Sequence, residues 1–540
     1  MRRLHLSLAF AASALASIGV IVSCVGDDAG GNTIVQTNEG GSSGGPDGSS
    51  SGGPDGGDDG ATAAGPLTLN PPRPRIPQNG ELQVEAALDR KALTGDVTIT
   101  LTGLPKDVSV VGAITIPATA SKVTFTIKAA GTAPTGAAPI TLAAAGAGEL
   151  KTDVVIAGKP GTVDESFDGD GFILDTVSGT AGYLAVLGQS DGKTIVAGGT
   201  AGIGSGTWIV KRYDASGKAD DAFNAEAAKA MPTTGAARGL AIDPANGKIL
   251  VVGGSGASEQ LTVVRLLATG AVDQGFASAG RLVADTVSHG QGSRGTSIVV
   301  RADGGIVVAG KNGVLGLVEA YTVKGEADQG FVRYQTNDQA EFNGIVTLKS
   351  GAYLVGGTDI AASPDAQLAV RLLSNGTPDA TMGGAAGRTY ASGCRGYALA
   401  VTSGGDGILV GDDQTAPVTC TTRFDGSGTG SMRWTFGSGG GSQNQFFAAA
   451  AAFTGDMGYA AGHGGGSQDR YASVERRLPD GGMDPTFATG GEYKIEDPLV
   501  PDGYRYVIRA SAPGGDGRLL FAGTRTGNVS PGAFVARIWE

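Results

Sequence analysis

What most limits how this chain can fold is the repetition that begins after Pro160. A first copy reads VDESFDGDG from Val163 to Gly171, then YLAVLGQSDGKTIVAGG from Tyr183 to Gly199, then WIVKRYDASG from Trp208 to Gly217, and the same order returns six more times. The glycine closing the second apolar run recurs at Gly198, Gly253, Gly310, Gly356, Gly411, Gly462 and Gly523, a step of about 54 residues. The third run carries Arg212, Arg265, Ala320, Arg371, Arg423, Arg477 and Arg537. The opening motif returns as Asp220 to Phe223, Asp273 to Phe276, Asp328 to Phe331, Asp379 to Met382 and Asp484 to Phe487, while the copy near Met432 to Phe436 has lost its aspartate.

Each unit offers about four strands: one before the turn, one after it, the arginine strand, and one behind the Asp-to-Phe motif. Asp191 with Gly192, Asn246 with Gly247 and Asp406 with Gly407 provide the positive backbone angles that tight hairpins need. A four-stranded unit cannot bury both faces alone, whereas in a closed ring every sheet packs against two neighbours. The expectation over residues 160–540 is therefore a seven-bladed β-propeller. The last unit offers strands near Tyr506 to Ala510, Leu519 to Gly523 and Phe534 to Trp539 and then the chain stops at Glu540, while Gly171 to Val177 lacks three strands of its own. Phe172 to Thr176 is expected to pair antiparallel with Phe534 to Trp539 and close the ring without an exposed edge.

The units resemble the bacterial delta-60 repeat, whose pattern combines L-D-x-S-F-G, D-G-K-I-V-V-A-G and R-Y-x-x-D-G. The first copy carries the match through Asp164, Ser166, Phe167, Asp191, Gly192, Lys193, Ala197, Gly198, Arg212 and Tyr213. The resemblance implies the repeat type and no particular activity.

Ahead of the repeats the chain changes character three times. Arg2 and Arg3, an apolar run from Leu6 to Val22 and the small Ser23 follow the order of a secretory signal. Residues Ile21, Val22, Ser23 and Cys24 resemble the bacterial lipobox, which implies cleavage after residue 23 and lipidation of Cys24; Val25, where an aspartate favours inner-membrane retention, implies sorting to the outer membrane. More than one acyl chain gives stable anchoring. Residues 24–66, with GGPDG at Gly44 to Gly48 and again at Gly52 to Gly56, cannot bury enough apolar surface to order, and form a linker with a reach of roughly 35 Å. From residue 67 to 158, Val97, Ile99 and Leu101 alternate with threonines, as do Val123, Phe125 and Ile127 with Thr124, Thr126 and Lys128. This period-two pattern predicts about seven short strands in a small β-sandwich, similar to bacterial immunoglobulin-like stalk domains. The fold class is thus all-β.

Removing Arg2 and Arg3 leaves 38 basic against 52 acidic residues, a net charge of −14, which disfavours nucleic acid and anionic surfaces as partners. Histidine is scarce: after the signal peptide only His289, in SHGQGS, and His463, in GHGGGSQD, remain. Both are read as ordinary surface residues, so no catalytic constellation is expected. Asp168 with Asp170, and Asp412 with Asp413, are acidic clusters, but Asp168 to Gly171 already occupies the repeat's own turn and no metal or cofactor is expected. The recurring arginine, once per unit inside a strand, is expected to pair with the repeat's aspartate or to bond turn carbonyls. An oxidising compartment permits a disulfide between Cys394 and Cys420. Placed on the first and third strands of one unit, however, they would stand roughly 9.5 Å apart, so a free buried pair is favoured. The functional expectation is a lipid-anchored envelope protein, displayed at the periplasmic face or the cell surface. It would act as a non-catalytic binding or scaffolding module toward a protein or glycan through loops of the ring. The alternative is a secreted polysaccharide hydrolase or lyase using carboxylates.

Overall fold

The computed structural model describes residues 67–540 except 91–92, 176–181, 202–204, 286–287, 291, 384–386, 402–405, 413–418, 425–430, 437–445, 455–456, 465–471, 479–481, 496–504, 515–516 and 527–531; for 431–436, 446–454 and 457–464 only the backbone is described. The signal segment 1–23, Cys24, the linker to Pro66, Asp413 and the side chains of Asp412 and His463 lie outside the described residues.

The alternating segment forms two sheets. One pairs Leu67–Asn70, Glu81–Leu88, Lys122–Ala129 and Val108–Val111 in that order; the other pairs Arg75–Pro77, Gly148–Ala157, Gly136–Ala144, Val97–Thr102 and Thr115–Ile116. All neighbours are antiparallel except Arg75–Pro77, which lies parallel to Val155 through Ala157. Inward residues of both sheets, among them Val84, Phe125 and Ile127 against Ile99, Leu142 and Ile156, share one core. Thr98 and Thr100 between them face solvent, as the period of two requires. Two strands more than expected are present because the short Arg75–Pro77 and Thr115–Ile116 extend the second sheet.

The repeats form antiparallel sheets in chain order. Gly182–Gly188, Thr194–Ala201 and Ser205–Tyr213 form one sheet in that order, and Gly235–Ile242 opens a four-stranded sheet ending at Arg281–Val283. Arg294–Val300 opens a seven-stranded sheet ending at Arg388–Ser392, and Ala398–Val401 and Phe446–Thr454 each open a further four-stranded sheet. The last joins Arg505–Pro513, Arg518–Thr526 and Gly532–Trp539 to Phe172–Asp175 from the start of the array. In it Phe172 faces Ala536 and Asp175 faces Ala533, antiparallel, so the two ends of the array meet as expected. The opening strand Gly182–Gly188 packs on both Gly235–Ile242 and Arg505–Pro513, which makes the array closed rather than an open solenoid.

Three local expectations change. Behind Asp220 to Phe223 the chain forms the helix Asp221–Ala230 instead of a strand: Asp220 caps it by accepting from the Phe223 N–H, and alanines fill its interior. Behind Asp328 to Phe331 the strand Tyr334–Thr347 runs on to become the opening strand of the next unit, joining two sheets into one. Gly407 lies in the extended strand Gly407–Asp412 and does not take a positive angle, unlike Gly192 and Gly247.

The recurring glycine has a steric cause. The opening strands other than Ala398–Val401 carry a β-bulge, between Tyr183 and Ala185 or Ala237 and Gly239 for example, that turns a carbonyl over the neighbouring strand. A Cβ at Gly198 would stand 1.9 Å from the Gly182 oxygen, and one at Gly253 would stand 2.1 Å from that of Ala236. In the fourth unit the role falls to Gly357, 2.0 Å from the Glu341 oxygen, and not to Gly356.

Candidate functional site

The arginine strand is the place to begin, because it decides which charges are committed to the fold. Arg212 donates through Nε and Nη2 to Asp220, its guanidinium lies 4.0 Å over the Phe223 ring, and its Nη1 reaches the Ala268 carbonyl of the next unit. Arg265 repeats this with Asp273, Phe276 and the Val323 carbonyl, and Arg537 with Asp164, Phe167 and the Ala215 carbonyl. Both expected roles are therefore filled at once. Each arginine closes its own Asp-to-Phe turn, stacks on its phenylalanine, and ties one unit to the next.

Where the repeat has lost one partner, the pair survives by relocation. Ala320 replaces the arginine in the third unit, and Arg301 instead donates to Asp328 at 2.6 Å. In the unit that lacks the motif aspartate, Arg423 pairs with Asp406 of the preceding turn. In the sixth, Arg476 rather than Arg477 pairs with Asp484, eight residues on as in Arg212 to Asp220; Arg477 instead holds Glu475. Burial pushes the Asp273 and Asp484 carboxyls up, but the hydrogen bonds and cations around them outweigh it and leave both below the usual 3.8.

These staples all lie at the end of the ring formed by the first-to-second and third-to-fourth strand turns, and the N-terminal sandwich meets the ring at that same end. Arg75 Nη2 donates to the Gly517 carbonyl at 3.0 Å and Arg73 Nη1 to that of Ser190 at 3.4 Å, while Trp539 packs on Val155 and Ala157. Among the described residues, the opposite end, formed by second-to-third strand turns and by crossovers between units, is the one the sandwich leaves uncovered.

Two polar groupings sit at that uncovered end. Arg294, opening its strand, donates to Glu341 of the next unit at 2.6 Å and to Glu259 of the preceding unit at 2.9 Å, and Arg238 reaches Glu259 at 3.3 Å. Burial presses the Arg294 guanidinium down, but Glu341 and Glu259 outweigh it and raise its pKa; burial and the nearby Arg294 lower that of Arg238.

The second grouping corrects the reading of His289 as a surface residue. It is buried in the crossover between Arg281–Val283 and Arg294–Val300, with Nε2 3.0 Å from both Glu319 carboxylate oxygens and Nδ1 2.9 Å from Ser288 Oγ. Glu319 also accepts from the Tyr321 hydroxyl and lies 3.5 Å from Arg333. Burial, and then the Glu319 charge, push the Tyr321 phenol far up, so it stays a donor. The serine, the histidine and the carboxylate lie on a crossover and on a third strand about thirty positions apart, a juxtaposition with no local signature in the chain.

The cysteines are also corrected. Cys394 and Cys420 form a disulfide with their Cα atoms 6.3 Å apart. The expected distance assumed that Cys394 lies on an opening strand; it lies instead in the crossover before Ala398–Val401, which bends across the sheet end toward Cys420 on Thr419–Phe424. Buried Gln367 of the preceding unit donates to the Arg395 and Leu409 carbonyls beside it. At the DGDG turn, Asp170 accepts from the Phe172 N–H and Gly171 donates to the Phe167 carbonyl, while burial and the neighbouring Asp170 raise the Asp168 carboxyl. Among the described residues no three His, Cys, Asp or Glu side chains gather as a metal site.

The chain is similar over residues 189–223 and 245–276 to a family described as a domain of unknown function (DUF5122) beta-propeller, and it is a β-propeller-like repeat protein. No curated protein matches it. Among solved structures it is similar to a protein from Lactobacillus plantarum (12% identity, 60% of this chain and 91% of that one, TM-score 0.34). It is also similar to the polysaccharide lyase Uly1 (12%, 66% and 89%, TM-score 0.36). A third likeness is to a quinonprotein alcohol dehydrogenase-like protein from Bacteroides thetaiotaomicron (10%, 78% and 95%, TM-score 0.31). At these TM-scores none of the three bears on activity.

Proposed function

We propose that this chain is a cell-envelope lipoprotein, exported by residues 1–23, anchored at Cys24 and held off the membrane by the linker 24–66. An immunoglobulin-like sandwich, 67–158, then carries a seven-bladed propeller, 160–540, that binds a protein or glycan through its crossover end. In this reading the seven-stranded sheet is two blades sharing Tyr334–Thr347. The single observation that carries the proposal is the position of the sandwich: Arg75 on Gly517 and Trp539 on Val155 seat it on the staple end, which supports an anchor on that side and a crossover end turned outward. Loops on a rigid scaffold are where binding residues concentrate. Val314 and Ile360, exposed aliphatics on adjacent turns of that end, are joined through Gln339 and Ala340, since the Ala340 N–H donates to the Val314 carbonyl and that of Ile360 to Gln339. The alternative of carboxylate chemistry on polysaccharide draws no support from Glu259 and Glu341, both engaged by Arg294.

The test is binding of residues 67–540 to a panel of envelope glycans and purified envelope proteins. A ligand of this end is lost in Ile360→Arg or Val314→Asp and kept in Leu373→Asp, which changes an exposed leucine at the opposite end. Equal loss in all three, or binding by the sandwich alone, would reject the proposal. Mass spectrometry of the mature N-terminus checks the anchor separately, by acylation at Cys24.

A further inference from the structure

We infer that Arg509 and Tyr397 form a binding site for a small organic monocarboxylate inside the channel that the opening strands enclose. The inference goes beyond the binding reading, because the site lies within the ring and not on its crossover loops.

The opening strands pack side by side in chain order from Gly182–Gly188 to Arg505–Pro513, and the last packs on the first, so they surround a common axis. One register position can be followed from strand to strand by the steric mark of the recurring glycine. The carbonyl that overhangs that glycine belongs to Gly182, Ala236, Arg294, Glu341, Arg395 and Val507. Two residues further on stand Leu184, Arg238, Thr296, Asn343, Tyr397 and Arg509, which therefore share one level of the ring. All but Thr296 are half-buried between two buried neighbours, as Arg509 is between Ile508 and Ala510. A strand covered on both faces by adjacent sheets shows solvent only along the axis, so these side chains look into the channel. Arg509 is moreover the extra residue of the bulge between Ile508 and Ala510, outside the ladder.

Most of that level is committed to the wall. Thr296 Oγ1 donates to the Phe342 carbonyl and Asn343 Nδ2 to that of Gly396 at 2.7 Å, each on the next strand round. Arg238 is held by Glu259 at 3.3 Å. Among the described residues Arg509 has no hydrogen-bond or ion-pair partner. Burial presses its guanidinium down, and the Tyr397 phenol acts against this. Because Phe446–Thr454 lies between their two strands, that influence is felt across the channel. Tyr397 is hydrogen-bonded by Arg395, itself paired with Asp365 at 2.6 Å, so its oxygen accepts from one side and its hydroxyl hydrogen is left to donate.

The class of ligand follows from these groups. None of the six residues is acidic, in a chain whose net charge is −12. A guanidinium drawn out of bulk water is costly until an anion meets it, and its planar fork matches a carboxylate. One uncommitted cation balances one negative charge, whereas a dianion would keep half its charge uncompensated at the same depth. Leu184 and the Tyr397 ring supply carbon surface at the same level for the body of the acid. That chemistry is shared by a free aliphatic acid and by the acidic sugar of a glycan.

The experiment titrates the folded full chain calorimetrically with hexanoate, with glucuronate and with the methyl ester of glucuronate. Binding of either acid supports the site, the one that binds tells the two sources apart, and the neutral ester should fail. Arg509→Gln should weaken the acid that binds at least about tenfold and Tyr397→Phe about fivefold, while Lys324→Gln, which removes an exposed cation on an outer turn, should leave it unchanged. The acid should raise the melting temperature of the parent and not that of Arg509→Gln. Without ligand, Arg509→Gln should melt no lower than the parent, since it loses no partner, whereas loss of a structural arginine would lower it. Failure of both acids, equal affinity for the ester, full affinity in Arg509→Gln, or a lowered ligand-free melting temperature in that variant would each overturn the inference.

Discussion

Arg537 Nε donates to Asp164 Oδ2 at 2.7 Å although 373 residues separate them, and both are almost wholly buried. The aspartate also holds Arg518, so two guanidiniums from the last sheet converge on one carboxylate from the start of the array. This joins the two ends of the repeat array through side chains as well as through the strand Phe172–Asp175.

Removing Asp164 should cost more than removing Arg537. Asp164→Ala leaves two buried cations facing one another, and the pKa of Arg518 is already pressed to about 9 by burial and by Arg537. Arg537→Ala leaves Asp164 still paired with Arg518. We expect urea denaturation to show losses of about 4 kcal/mol for Asp164→Ala and about 3 kcal/mol for Arg537→Ala. The reverse order would contradict the shared-carboxylate reading.

Phe172 stacks on Phe534 at 5.7 Å and meets Tyr506 edge-on at 5.5 Å, so the closing strand is held by aromatic packing in addition to its ladder. Deleting residues 160–178 should lower the melting temperature of the whole ring, and Phe172→Ala should lower it less, by about 2 kcal/mol of stability. A melting transition unchanged by the deletion would show that closure contributes nothing.

The disulfide closes a loop with a sequence separation of 26. Chain-entropy reasoning gives it about 3 kcal/mol of stabilisation. Reduction, or Cys394→Ala with Cys420→Ala, should lower the melting temperature without changing the circular dichroism of the folded state. Equal melting of the oxidised and reduced protein would remove the staple from this account.

Acid should loosen the ring. In Asp328 the Arg301 hydrogen bond and then the Gly330 N–H hold the carboxyl below the usual 3.8, and in Asp379 the Thr381 hydroxyl leads the same lowering. A depressed folded value means stability that is complete well above the unfolded pKa and lost as pH falls through the folded one. Unfolding free energy should therefore be flat above about pH 5 and fall toward pH 2, with a shallower slope in Asp328→Asn. A slope identical in that variant would place the acid sensitivity elsewhere.

Gly253→Ala tests the bulge argument, since its Cβ would collide with the Ala236 oxygen at 2.1 Å and with the Trp208 ring at 2.8 Å. A loss of about 3 kcal/mol is expected in thermal or urea melts, and a neutral result would mean that the bulge gives way.

Much of the architecture was legible because it is periodic. A glycine that must admit a carbonyl, an arginine that must meet an aspartate and a phenylalanine, and strands that alternate in and out leave their marks in most units, and seven copies make the marks readable. Even the pairing of Phe172 with the last strand could be read from an incomplete unit at each end. Register was less secure: Arg476 and Arg477, or Gly356 and Gly357, satisfy the same pattern, and only the strand pairing decides which of each faces the next sheet.

Tertiary structure alone decided what happens in the crossovers, since these segments do not repeat and their conformation is set by the sheets they span. The approach of Cys394 to Cys420, the burial of His289 against Glu319 thirty residues away, and the substitution of Arg301 for a missing Arg at Ala320 each depend on where a loop lands on a neighbouring unit. Periodicity records the forces acting within one repeating sheet; it carries no information about contacts made once, between segments that only closure of the ring brings together.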